Sequence, residues 1–187
     1  RFSGAPVEEG DLLAMLEAAR LAPSATNEQP WHFTIIRDAE LKARMRGLVE
    51  ALVDVRIECA DNEQSRERLS AMRYYSTHFA DAPLVIAVSA RPWRWLEGSL
   101  PGRELSLQSA SAAIAHLLLA ATALGYGGCW NTAPLDFAAE ELEALLGIEQ
   151  PWFLVALVSL GVAAGEPSRA PRKPLDDICT FGEGRNG

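Results

Sequence analysis

Residues 22–33 read APSATNEQPWHF and concentrate the side chains best suited to chemistry. Pro23 and Pro30 bracket a polar stretch with two hydroxyls (Ser24, Thr26) and two amides (Asn27, Gln29). A loop of this kind presents side chains and backbone N–H groups from a rigid mount. Neutral donors and acceptors suit the polar edge of a ring better than a metal ion. The residues alone equally allow a connecting loop whose Ser, Thr and Asn satisfy their own backbone. Other constellations are missing. No GxGxxG follows a strand, and there is no phosphate-binding GK[ST] loop, no GxSxG elbow and no His pair at helical spacing with a Glu. His32, His78 and His116 form no ligand spacing with the cysteines or carboxylates. If such a chain is an enzyme, a cofactor does the hard step.

The elements that must position this loop are legible in part. Apolar residues Leu12, Leu16 and Ala19 recur at helical spacing over 8–21, and Pro23 ends that helix. HFTIIR at 32–37 predicts a strand, and 39–53 a second helix. The stretch 54–79 is charged, helix-compatible and poorly patterned. LVIAVSA at 84–90 is a strand, and 91–103 reads as a surface loop or flap. Residues 105–124 form a long, Ala-rich apolar helix stopped by Gly125, a core helix and not a membrane span. Strand 127–131, a short acidic helix 138–146 and strand 152–160 follow. The near-continuous apolar run of the last predicts a central position in the sheet. Alternating helices and strands argue for a mixed α/β or α+β domain spanning 1–187 around one sheet.

Composition narrows the partners. The 187 residues carry a formal charge of -8, which disfavours nucleic acid and anionic membranes. Cys59, Cys129 and Cys179 are odd in number and scattered, so free thiols in a reducing cytosol are expected. Arg172 and Lys173, by residue type alone, read as a solvated basic tail.

Three ordered blocks change this picture. Residues 22–33 resemble the APSxxNxQPW motif of the nitroreductase superfamily. Residues 120–130, AATALGYGGCW, are similar to its helix-then-GxGxCW segment, and Leu160-Gly161 with PRKPL at 171–175 to its closing strand and basic tail. The resemblance covers most of the chain and is weakest over 54–103. It implies an α+β fold, a three-layer sandwich with a central, mostly antiparallel sheet flanked by helices, and a dimer built through long helices. FMN would sit at the interface, lined by both chains of a homodimer. Pro23, Ser24, Ala25, Asn27 and Gln29 would then contact or shape the flavin ring and ribityl pocket. Thr26 would border the nicotinamide or acceptor. Trp130, Asn131, Thr132 and Ala133 would pass the flavin's reactive edge, and Arg172 with Lys173 would hold the phosphate, a task that suits the planar guanidinium fork. His78, Tyr75 and Phe79 are further candidates for approaching the ring. Trp31 is expected in the core, Cys129 buried and inert, and His116 in a helix–helix hydrogen bond. The family's RRSxR phosphate grip would lie just upstream of Arg1. The implied activity is hydride transfer from NADH or NADPH through the flavin to a small nitroaromatic, quinone or related acceptor, with ping-pong kinetics. Alternatives within the same resemblance are a dehalogenase, an enone reductase, a dehydrogenase or a non-catalytic flavin binder, distinguished by a lid for which 54–103 is the candidate.

Overall fold

The computed structural model describes residues 1–93, 102–166 and 170–182. Nine principal elements follow one another: α1 (Glu9–Arg20), β1 (Trp31–Ile36), α2 (Ala39–Glu58), α3 (Glu63–Thr77), β2 (Leu84–Ala90), α4 (Gly102–Ala123), β3 (Gly127–Asn131), α5 (Leu135–Leu146) and β4 (Phe153–Gly161). The strands form one sheet in the order β1-β2-β4-β3, antiparallel throughout.

Successive side chains of a strand point to opposite faces, so a strand buried on both faces must be apolar throughout. Every residue of β2 and β4 is buried, and both are central strands. Leu84, Ile86 and Val88 face a core shared with Leu12 and Met15 of α1 and Ile114 and Leu117 of α4. Val85 and Ala87 face a second core with Met45, Val49 and Val53 of α2 and Leu142 of α5. Helix layer, sheet and helix layer are therefore the three layers expected from the sequence.

The poorly patterned stretch divides into two helices. α2 runs to Glu58, past the expected end at 53, and α3 begins after Asn62. Asn62 Oδ1 accepts the Ser65 N–H at 2.8 Å, a cap that satisfies an otherwise orphaned donor. α5 starts at Leu135, three residues before the expected start, and carries a kink at Ala138. The expected loop at 91–103 carries no regular element over 91–93, while Gly102 and Arg103 already belong to α4; residues 94–101 lie outside the described residues. α4 is long and apolar enough to cross a membrane by composition. Its Ala110, Ala113, Ile114, Leu117 and Ala121 instead pack into the first core, as expected for a core helix. Gly125, at φ 86°, closes it: Tyr126 N–H reaches back to Ala121 O at 2.8 Å, a left-handed cap open to glycine.

Candidate functional site

The loop between α1 and β1 is held in an unusual shape. Thr26, Asn27 and Gln29 all take positive φ, at 50°, 59° and 50°. Such conformations cost about 1–3 kcal/mol each in non-glycine residues and persist only where neighbours over-determine them. The neighbours are plain to see. Ser24 Oγ accepts the Gln29 N–H at 3.0 Å, and Ser24 O accepts the Asn27 N–H at 3.1 Å. Ala25 N–H donates to Ser109 Oγ on α4 at 3.2 Å. From the exit of β2, Arg91 N–H donates to Pro30 O at 3.0 Å and its guanidinium pairs with Glu28 at 2.7 Å. The Trp93 indole N–H donates to Thr26 Oγ1 at 3.0 Å. Asn27 and Gln29 stay exposed, the Gln29 amide lying 3.4 Å from Asn27 Oδ1. Pro23, Ser24 and Ala25 line an open groove of about 280 Å³ against Leu105, Gln108, Ser109 and Ala112 of α4.

A second group of candidates lies elsewhere. The loop enters the sheet at Trp31, whose cross-strand partner Ala90 pairs in turn with Phe153, the first residue of β4. Phe2 bridges Ala163, just past the last residue of β4. At roughly 3.3 Å per residue, the strand between these ends is about 26 Å long. At the Phe2 end a cavity of about 410 Å³ is lined by Arg1, Phe2, Tyr74, His78 and Asp81. The Tyr74 and His78 rings stack there, their centroids 5.3 Å apart. The basic tail also leaves from this end. Arg172 is exposed and donates to Ala170 O at 3.4 Å, and Lys173 is exposed beside it.

Between the two ends, β3 delivers Trp130 to Ala133. Trp130 is exposed at the sheet edge, while Asn131 is buried. The Asn131 Nδ2 lies 3.0 Å from Cys129 O, 3.0 Å from Leu157 O and 2.8 Å from Ser159 Oγ, three acceptors that share its two N–H groups. Thr132 O then accepts the Leu135 N–H at 2.8 Å, turning the chain into α5.

The profile of the Nitroreductase family matches residues 1–162. The chain belongs to the nitroreductase family. An Archaeoglobus fulgidus protein described as an NADH dehydrogenase/NAD(P)H nitroreductase is 31% identical, the match covering 88% of this chain and 79% of the relative. A BluB-like flavoprotein from Clostridium difficile 630 superposes with a TM-score of 0.85 at 28% identity, over 98% of this chain and 93% of its own. A nitroreductase with bound FMN from Desulfitobacterium hafniense DCB-2 superposes with a TM-score of 0.73 at 25% identity, over 97% and 91%.

Within this nitroreductase-family chain, several expectations meet the geometry directly. His116 Nδ1 lies 3.3 Å from Ala18 O, joining α4 to α1, and Trp31 packs on the first core. Cys129 is half-buried, and burial pushes its thiol up, keeping it protonated and unreactive at neutral pH. Asn131 turns its side chain into the sheet, where the amide nitrogen meets three acceptors, and leaves its backbone at the strand end. One reading needs correction. Phe79 is fully buried in the second core and cannot approach a ring. Tyr75 and His78 sit at the Phe2 end, remote from the Ser24 loop. The clamp from Arg91 and Trp93 had no signal in the sequence, since nothing in a run of Arg, Pro and Trp names a partner 63 to 67 positions away.

Proposed function

We propose that this protein is an FMN-dependent oxidoreductase which passes a hydride from NADH or NADPH to a small acceptor such as a nitroaromatic or quinone. The observation that carries the reading is the Ser24 loop: neutral hydroxyls, amides and backbone groups, locked in a strained shape beside an open groove. That donor set fits the uncharged polar edge of a flavin ring, and the basic tail fits its phosphate. FMN, when bound, supplies the two-electron carrier that the side chains of this protein lack. Pro23, Ser24, Ala25, Asn27 and Gln29 would hold the ring side, and Thr26 would border the nicotinamide or acceptor. Trp130, Thr132, Ala133 and the Asn131 backbone would edge the ring, with Arg172 and Lys173 gripping the phosphate.

The Ser24 loop stands at one end of the sheet and the chain leaves β4 for the tail at the other, so in this reading one chain does not gather both groups around one flavin. A homodimer related by a twofold axis does, bringing the ring-binding loop of one protomer to the tail and β3 edge of its partner. Exposed leucines on the α1–α4 layer support such an interface, among them Leu13, Leu107 and Leu119. So do Leu175, Ile178 and Phe181 of the tail, which find no cover among the described residues. Burying apolar surface of this kind is what obligate interfaces do. In this reading residues 1–187 act as one flavin-binding domain in the cytoplasm.

The test is anaerobic. Purified protein is saturated with FMN, freed of excess, and titrated with NADH or NADPH while its visible spectrum is followed. Loss of the yellow absorbance supports the reading. Retention of colour points to a flavin binder without this activity, and failure to retain FMN overturns it. Steady-state kinetics at varied donor and acceptor should give parallel double-reciprocal lines; intersecting lines would refute the ping-pong scheme.

A further inference from the structure

The hydrogen bonds of Thr26 limit what can rest against it. A threonine hydroxyl has one proton and two lone pairs. Its proton goes to Ala25 O at 2.8 Å. One lone pair takes the Trp93 indole N–H at 3.0 Å. A single lone pair remains on this exposed side chain, and an oxygen in that state accepts a hydrogen bond and donates none. The state is built in. The left-handed backbone at Thr26 is unfavourable for a β-branched residue, and Arg91 braces the same loop through Pro30 and Glu28. Trp93 is itself mounted firmly, its backbone N–H donating to Gly102 O at the start of α4 at 3.0 Å.

We propose that Trp93 is a positioning residue that makes the Thr26 hydroxyl an acceptor-only contact, so that the site holds the donor dinucleotide through the N–H of its nicotinamide carboxamide. The proposal rests on the reading that Thr26 borders the nicotinamide position. A bare carbonyl or nitro oxygen set against the same lone pair is repelled, whereas an amide N–H is held.

The test compares NAD⁺ with acetylpyridine adenine dinucleotide, in which a methyl group replaces the amide nitrogen and the carbonyl is kept. Dissociation constants are measured by calorimetry on the FMN-loaded protein, independently of turnover. The wild type should favour NAD⁺ by about threefold to tenfold, the range of one hydrogen bond. Thr26→Val should bring the ratio to near one, and Thr26→Ser should keep it. Trp93→Phe should narrow it, because the freed hydroxyl can rotate and donate to the carbonyl. A Trp93 that merely supports the fold would weaken both dinucleotides equally and leave the ratio as in the wild type, which would overturn the proposal. So would a wild-type ratio of one. Loading with FMN and bleaching by NADH are scored separately, so that failure of the flavin reading is distinguishable from failure of this one.

Discussion

At the Trp31 end of the sheet, three left-handed residues are pinned by bonds from α4 and from the exit of β2. At the Phe2 end, Arg1, Tyr74 and His78 surround an open cavity and a basic tail runs out exposed. The difference matches what each end would have to do. Reactions between stacked rings depend on placement to a fraction of an ångström, so a ring-binding loop gains from being rigid before the ligand arrives. A phosphate is held by charge, which acts over several ångströms and tolerates a mobile cation. A strained loop at one end and an exposed tail at the other fit the two tasks that the proposed reading assigns to them.

The largest expected effect comes from separating the protomers of the proposed homodimer. Leu119→Asp places a charge on a position 69% exposed on α4 and should convert a dimer to a monomer with loss of FMN binding. Light scattering after size exclusion and flavin retention read both; a dimeric, yellow variant would break the comparison. Arg172→Ala should weaken FMN about tenfold or more, the worth of a charged hydrogen bond, with the visible spectrum of bound flavin unchanged because the ring end is intact. Flavin fluorescence titration checks it, and unchanged affinity would remove the tail from the phosphate site. Gly161→Val is directed at the fold of the Phe2 end. A Cβ there would lie 2.6 Å from Pro83 Cγ and 2.9 Å from Phe2 Cδ1. Overpacking of this kind costs about 1–3 kcal/mol, to be read from urea unfolding. The smallest effect sharpens the other end: Thr26→Gly relieves the left-handed strain and should raise stability by about 1 kcal/mol or less while weakening substrate discrimination. A less stable variant would mean that the hydroxyl's two bonds outweigh the strain.

Salt should barely touch the fold of the ring end. The Arg91–Glu28 pair is largely exposed, with side-chain accessibilities of 48% and 37%. Pairs in such surroundings contribute about 0–1 kcal/mol before screening, so Arg91 matters more through its backbone bond to Pro30.

Much of the architecture was legible before any coordinates. The 3.6-residue period of α1, the unbroken apolar runs of β2 and β4 and the glycine after α4 report local preferences that tertiary packing did not need to override. The 22–33 segment stood out through its resemblance to a family motif, since its residue types alone equally allow a connecting loop. What local pattern could not supply was any relation between distant segments. The division of 54–79 at Asn62 depends on one side-chain cap, and α5 begins early because Thr132 O closes a turn that no periodicity reveals. Asn131 looks like a ligand residue in one dimension, and only the neighbouring strand shows that its amide is already engaged.

Sequence by itself determined the family and the layered α+β plan through three ordered motifs that resemble the family's, and the helices and strands that mount the polar loop through period along the chain. Tertiary structure alone decided that Trp93 and Arg91 clamp that loop, that Asn131 faces inward, and that the loop and the exit of the chain from β4 stand at opposite ends of the sheet. The reason is physical: hydrogen bonds and packing are set by distance in space, and antiparallel strands bring together residues that the chain order keeps far apart.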